Sequence, residues 1–329
     1  MDISKDAVVV VPTIRETSIN GFLDAWQWPC QVIVVEDNPE RSFQLPPRVD
    51  HYAWQDIEAD LGNDAWIIPR RSDCVRSYGY WKAWQTGKPY ILTLDDDCLP
   101  VDLQHVGNAA TYRFTEQHLN NLQPATITCW YSTLDGVYPR GYPYERWQHD
   151  VSIGISHGLW RGVLDLDSLS QLHYGRAGQT EAGLRDGLVP FGQYFPMCGM
   201  NLAWRREYTP LMYFLLMGQD AAGNAYPFDR FGDIWAGVIA KRVLDHLGVA
   251  VWSGAPFVRH ERASNVWTNF RKEHAGIIEN ERFWQRIDNI RLWETDPRRC
   301  YRQIADQLPG EGYWKMLALA MRIWAALYE

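Results

Sequence analysis

The sequence predicts an α/β protein: an open, mostly parallel sheet flanked by helices over residues 1–272, with a helical extension over residues 273–329. Three observations predict it. Short runs of β-branched residues, apolar throughout, alternate with segments of helical periodicity over the first hundred residues, as strands buried on both faces and their crossover helices do. Charged residues collect directly after those runs, where open α/β sheets bind their ligands. From about Glu273 onward the periodicity is helical, with no further strand signal.

The elements follow in order. Ala7–Val11 is a continuous strand run ended by Pro12, and Ser18–Trp26 is a helix with Ile19, Phe22, Leu23 and Trp26 on one stripe. Val32–Val35 is the second strand, ended by Glu36-Asp37-Asn38-Pro39, and Trp66–Ile68 reads as a short third. Ser72–Trp84 is a helix, and Tyr90–Leu94 a fourth strand that runs straight into Asp95-Asp96-Asp97. Beyond residue 100 the pattern loosens: a helix over 102–122, a strand over Thr126–Tyr131, then a stretch from Tyr138 to Tyr194 rich in Gly, Pro, Tyr and charge, as a loop-built site would be. A helix from Ile234 to Leu247 ends at Gly248, and Val249–Trp252 and Ala255–Val258 return to strand. In the extension Trp284, Ile287, Ile290 and Trp293 share a helical face. Its later helices, with Trp314 and Trp324, either pack on their own domain or associate with a second copy into a homo-oligomer.

Composition sets outer bounds. The chain has 329 residues, 46% of them hydrophobic and 22% charged, which describes a globular protein of one large domain with an extension, or of two domains. A formal charge of −8 gives no support to nucleic acid as a partner. Six scattered cysteines with no Cys-x-x-Cys argue for buried thiols in a reducing compartment. The N-terminus reads as a strand rather than a leader, and the longest apolar stretch, Met316 to Tyr328, is too short for a membrane span and carries Arg322. A cytoplasmic location is expected. The chain lacks both a phosphate-cradling G-x-x-x-x-G-K-[ST] loop and a G-x-G-x-x-G after a strand, so neither flavin nor NAD is expected as cofactor.

Asp95-Asp96-Asp97 is the strongest chemical signal. Like charges this close raise one another's pKa, and a divalent cation relieves the repulsion; hard oxygen donors suit Mn²⁺ or Mg²⁺. The alternatives are a solvated acidic turn or an aspartyl-phosphate site, although the latter usually follows the first strand with Thr two residues on, where this chain has Leu99. Arg76 and Tyr80 lie four apart on the helix before the triplet and share a face, where the arginine meets either a diphosphate or a surface carboxylate.

Six motifs in order then carry a resemblance: Val11-Pro12-Thr13-Ile14-Arg15, Leu94-Asp95-Asp96-Asp97-Cys98, Arg140-Gly141-Tyr142-Pro143, Ser156-His157-Gly158-Leu159-Trp160, Phe195 through Ala203 with Asn201 inside it, and Asp233-Ile234-Trp235-Ala236-Gly237. Over residues 7 to 275 the chain resembles the reversibly glycosylated polypeptide family, which includes plant UDP-arabinopyranose mutases and flavin-independent bacterial mutases of GDP-sugars. The resemblance implies a GT-A-like fold, a divalent metal, and interconversion of the pyranose and furanose forms of a nucleotide sugar. It implies that Asp95 and Asp97, with a late His such as His260, hold the metal. Thr13, Arg15 and Asp37 then meet the nucleoside and diphosphate, with Arg76, Asp96 and Asn201 also on the substrate. Arg140, a catalytic candidate, matches the family's arginine of sugar attachment or acts electrostatically, holding the diphosphate while the anomeric bond opens, and Arg146 nearby stands as its second arginine. His157 is a catalytic candidate and an alternative metal ligand, Asp229 and Asp233 fall to the sugar or its oxocarbenium-like centre, and Trp160 and Trp235 pack on the ring. Bland readings stand beside these: Thr13 as a helix cap, Asp37 as a turn cap, His157 as a loop orienter, Asp233 as a helix N-terminal charge, and either Trp as core. Two other functions share the same motifs: a glycosyltransferase with a separate acceptor, and a non-catalytic nucleotide-sugar-binding subunit.

Overall fold

The computed structural model describes residues 2–101, 107–135, 137–143, 145, 148–162, 165–174, 185–260 and 265–329. A short helix α1 (Ile3–Asp6) leads into β1 (Ala7–Thr13), α2 (Glu16–Trp26), β2 (Gln31–Glu36), β3 (Val49–Tyr52) and α3 (Trp54–Leu61). Two 3-10 turns, Gly62–Ile67 and Asp73–Val75, precede α4 (Arg76–Gln85) and β4 (Tyr90–Leu94). Then come β5 (Leu99–Pro100), α5 (Asn108–Asn121), β6 (Ala125–Thr128), β7 (Gln148–Val151), β8 (Ile153–Gly162), α6 (Ser168–Tyr174), β9 (Gly187–Val189) and β10 (Asn201–Arg205). The chain finishes with α7 (Gly232–His246), β11 (Ala250–His260), α8 (Val266–Asp288), α9 (Pro297–Gln307) and α10 (Gly312–Ala326).

One expectation for the first hundred residues needs correcting. Trp66–Ile68 falls at the end of a 3-10 turn, and the third strand is Val49–Tyr52. Its sequence Val-Asp-His-Tyr is too polar to announce itself, and it can be polar because it forms the outer edge of the sheet beside β2. The open sheet of parallel strands is continued beyond residue 100 as a mixed one. Its order is β3-β2-β1-β4-β10-β8-β11-β5; the first four strands run parallel, β10 is antiparallel to both β4 and β8, and β8 and β11 pair in parallel. An apolar run reports that a strand is buried but not its direction.

β1 shows why this end of the sheet folds as it does. Val8 and Val10 point into one core with α4 and α7, while Ala7, Val9 and Val11 point into a second core with α2 and α5. Helix α4 lies flush on the first face because Gly79 has no side chain: a Cβ there would stand 2.5 Å from Val10 Cγ1 and 2.7 Å from Val35 Cγ2. That contact carries the α4 N-terminus, and Arg76, to the carboxyl end of β4.

Later elements shift in their bounds. Helix α5 is seen from Asn108, residues 102–106 of its expected span lying outside the described residues. The two strand signals at 249–252 and 255–258 form one strand, β11, whose pairing with β8 is irregular between Gly254 and Val258. Helix α8 begins at Val266, its first turn capped by Asn265, whose Oδ1 accepts from the amides of Trp267 (3.0 Å) and Thr268 (3.1 Å); it runs through the expected 272/273 boundary without a break. Ile287 and Ile290 are buried, but Trp284, inside α8, and Trp293, beyond its end at Asp288, are exposed, so the four do not form one buried helical face. Trp324 is buried against Tyr213 (5.2 Å between centroids) and donates to Pro210 O at 2.9 Å, while Trp314 stacks on Phe283 under Arg286. These tryptophans are spent on the chain's own core.

Candidate active site

A cavity of about 650 Å³ opens beyond the carboxyl ends of β1 and β4, walled by the 3-10 turn at Asp73, the N-terminus of α7 and the segment after β8. Its size suits a cofactor- or nucleotide-sized ligand. Arg15, Arg76, Asp95, Asp97, Asp229, Asp233 and His260 from the sequence reading all line it.

The three carboxylates of the triplet do different work. Asp95 is held by the guanidinium of buried Arg76. That guanidinium also donates to Gly199 O (2.6 Å) and, from Nε, to Asp73 O (3.0 Å), so its direction is fixed on three sides. Asp96 turns inward, 7% exposed, and accepts from Thr13 Oγ1 (2.6 Å) and Arg15 Nη2 (3.1 Å); it locks the end of β1 to the end of β4. Asp97 faces the cavity between Arg15 (3.6 Å) and His260 Nε2 (3.8 Å), and burial together with the charge of Asp95 raises its pKa. His260 stands there because β11 continues past its irregularity to pair with the end of β8. Among the described residues, no group of three or more His, Cys, Asp or Glu side chains is arranged to hold a metal ion.

The opposite wall is carboxylate-rich. Asp233, in the first turn of α7, accepts from Gly199 N at 3.0 Å; burial and the neighbouring charge of Asp73 push its pKa up to about 8. Burial raises Asp73 and Asp165 as well. Asp229 pairs with Lys272 (3.2 Å), and Glu273 with Arg230 (2.9 Å).

Other residues of the sequence reading do not line this cavity. Thr13 and Asp96 sit behind it, joined to each other. Asp37, 5% exposed, spends its oxygens on Trp54 Nε1 (2.7 Å) and Ser72 N (3.1 Å). Asn201 is fully buried, donating to Leu159 O (3.0 Å) and Pro256 O (2.9 Å) and meeting His118 at 2.8 Å. His157 is buried between Trp160 and Phe195 and meets Ser253 Oγ at 3.1 Å; desolvation pushes its pKa down to about 4. Trp160 is 8% exposed, and Trp235 is 0% exposed, stacked on Phe283 at 4.5 Å with Nε1 donating to Asn280. Tyr80 packs edge-on against Trp204 and Phe214. Arg140 lies on the exposed connection between β6 and β7, and Arg146 lies outside the described residues.

Several cavity residues went unnoticed in the sequence: Arg71, Asp73, Asp165, Arg230, Lys272 and Glu273. Arg71 and Arg230 sit at φ 56° and 63°, a left-handed backbone that costs a side-chain-bearing residue about 1 kcal/mol or more. The one available signal was position: Arg71-Ser72-Asp73 precedes α4, and Asp229-Arg230 precedes α7, both at helix entries.

A mixed open sheet flanked by helices, with an Asp triplet after an inner strand and the cavity at the strand ends, defines a GT-A-like fold. The chain belongs to the reversibly glycosylated polypeptide family, whose model matches residues 3–329. It is 33% identical to UDP-arabinopyranose mutase 1 of Arabidopsis thaliana over 341 residues, covering 98% of this chain and 91% of that protein. It is 34% identical to the probable UDP-arabinopyranose mutase 4 of the same plant (98% and 90% covered) and 32% identical to UDP-arabinopyranose mutase 1 of Oryza sativa subsp. japonica (98% and 90%). Among solved structures, mannosyl-3-phosphoglycerate synthase from Rubrobacter xylanophilus aligns over 88% of this chain and 76% of that one at 12% identity, with a TM-score of 0.41. No helix among the described residues is long and apolar enough to cross a membrane.

Proposed function

We propose that the protein is an enzyme, an NDP-sugar mutase that interconverts the pyranose and furanose forms of a nucleotide sugar. Family membership and the names of its full-length relatives support the reaction class. The observation that carries it on this chain is the cavity itself. Asp95, Asp97 and His260 meet the cations Arg15, Arg71, Arg230 and Lys272 there, so one space serves a diphosphate and a sugar.

In this reading Arg15, Arg71, Arg230 and Lys272 bind the diphosphate, and Arg76 acts by holding Asp95. Arg140, on its exposed connection, is outside this set. Asp229 and Asp233 face the sugar hydroxyls. The donor chemistry supports a divalent ion only as completed by the substrate's oxygens: two carboxylates and an imidazole line one cavity without forming a metal cluster among the described residues, and the Nδ1 of His260 is buried there without a partner. Asp95, Asp97 and His260 would hold Mn²⁺ or Mg²⁺ jointly with diphosphate oxygens, and the ion would supply charge stabilisation of the departing nucleotide diphosphate. The protein's own part is to keep nucleotide and loosened sugar together until the sugar recloses through a different hydroxyl. A UDP-arabinose-like or GDP-fucose-like substrate fits this reading.

The test incubates the purified protein with Mn²⁺ and a panel of UDP- and GDP-sugars, without acceptor, and follows anomeric protons by NMR. New furanose signals that disappear with EDTA are expected. Hydrolysis without ring change would instead mark a transferase, and no turnover across the panel would mark a binding subunit.

A further inference from the structure

The cavity holds more carboxylates than its cations balance. Asp95 is paired with Arg76, Asp97 with Arg15 and His260, Asp229 with Lys272, and Glu273 with Arg230. Asp73, Asp165 and Asp233 have no such pairing among the described residues, yet the ligand expected beside them is itself an anion.

Two of the three are built together. The α7 N-terminus rests directly on the 3-10 turn at Asp73, because a Cβ on Gly232 would stand 2.4 Å from Cys74 Sγ. The residue before Asp233 therefore touches the residue after Asp73. A second path closes the same loop: Asp233 Oδ2 accepts from Gly199 N at 3.0 Å, Gly199 O accepts from Arg76 Nη1 at 2.6 Å, and Arg76 Nε donates to Asp73 O at 3.0 Å. Gly199 is also a close approach, since a Cβ there would lie 2.9 Å from Arg76 Nη1. Two glycines and a buried arginine thus hold the two residues, from separate elements, against one wall: Asp233 Oδ2 accepts from Gly199 N, and Asp73 Oδ1 accepts from Ser72 Oγ at 3.2 Å and Cys74 Sγ at 3.7 Å.

We propose that Asp73 and Asp233 are the acid–base pair of the ring interconversion, sharing one proton between them. The proposal rests on the mutase reading above. After the bond from C1 to the diphosphate breaks, with its electron pair leaving on the nucleotide, the incoming sugar hydroxyl bonds to C1 and gives its proton to the ionised Asp73. The bond from C1 to the old ring oxygen then breaks, and that oxygen takes the proton of neutral Asp233. A diphosphate oxygen re-forms its bond to C1. The pair ends with the single proton it began with, moved across, and the reverse reaction exchanges the roles. Like-charged neighbours in a desolvated wall are the usual way to keep one carboxyl protonated near neutrality, and the upward shifts of both groups agree. Their charged or titratable surroundings are Cys74 beside Asp73, Arg76 on α4, Asp95 after β4, Asp165 after β8, Cys198 before β10, and Asp229 and Arg230 before α7.

Asp73→Asn and Asp233→Asn test this on the full chain with whichever nucleotide sugar the wild type converts. Asparagine keeps the acceptor for Gly199 N and is isosteric with a neutral carboxyl. A loss of kcat of about 100-fold or more is expected in each, with KM changed less than about threefold, while positional isotope exchange between C1 and the diphosphate continues. The wild-type kcat should be bell-shaped in pH, and each variant should lose one limb. A kcat within about fivefold of wild type in both variants, or exchange lost in step with turnover, overturns the pair. The wild-type profile needs no variant, and a rate flat from pH 5 to 9 also overturns it. Absence of any wild-type ring interconversion sinks the mutase reading and this one with it, whereas wild-type turnover with undiminished variants sinks this one alone.

Discussion

Arg76→Met removes the most connected cation of the site while nearly preserving its volume. The guanidinium is 2% exposed and serves Asp95, Gly199 O and Asp73 O at once. Removing one partner of a buried ion pair costs roughly 3–5 kcal/mol. Asp95 keeps 30% of its side-chain surface and can turn to water, which places the ion-pair part at or below the lower end of that range. The two carbonyls left without a donor add about 1 kcal/mol each. A total of up to about 5 kcal/mol corresponds to a fall in Tm of up to about 7 °C for a 329-residue chain. Thermal unfolding by circular dichroism at neutral pH measures it, with Arg76→Lys expected to recover part of the loss through one retained donor. A fall of less than about 1 °C in Arg76→Met would refute the view that this arginine ties α4, the Asp triplet and Gly199 together.

Other consequences are as direct. Thr13→Val removes the 2.6 Å hydroxyl donor of buried Asp96 and should cost about 1–3 kcal/mol in denaturant unfolding, with Thr13→Ser close to wild type. Gly79→Ala pushes a methyl to within 2.5 Å of Val10 and should cost about 1–3 kcal/mol by overpacking, read as a lowered denaturant midpoint at unchanged slope. His118 is fully buried, and desolvation pushes its pKa down to about 3 from 6.5. The unfolded chain therefore takes up a proton that the folded one refuses, so this part of stability is complete above pH 6.5 and is lost as pH falls toward 3. His118→Gln should flatten the decline of Tm between pH 6.5 and 5, and an unchanged slope would contradict the assignment. Asp233 works in the opposite sense. Its folded pKa near 8 stands above the unfolded 3.8, so its contribution is complete at low pH and is lost as pH rises through 8. Asp233→Asn should accordingly hold its Tm better than wild type between pH 6 and 9.

Much of the first half was legible because a strand buried on both faces must be apolar throughout. Ala7–Val11, Val32–Val35 and Tyr90–Leu94 all fall in strands. The Asp triplet was legible for the complementary reason: three adjacent carboxylates after such a strand have no role in a core. What each carboxylate does was not legible. Asp96 belongs to Thr13, Asp95 to Arg76 and Asp97 to the cavity, a division set by side-chain direction in a turn. Trp235 and Asn201 sat in recognisable motifs, yet their side chains point into the core, because a motif marks a position and not a direction.

The sequence by itself determined the family, the alternation that builds the sheet, and the place where carboxylates meet the strand ends. Those are properties of local pattern and of contiguous residues. Only the tertiary structure decided that β10 runs antiparallel between β4 and β8, and that Asp73, Asp165, Asp233 and His260 face one cavity with the triplet. It decided too that Gly199 and Gly232 let α7, α4 and the turn at Asp73 touch. Some of these contacts join residues more than a hundred positions apart, as Arg76 to Gly199, and which groups lose their water together, and so shift one another's charge, is set by packing alone.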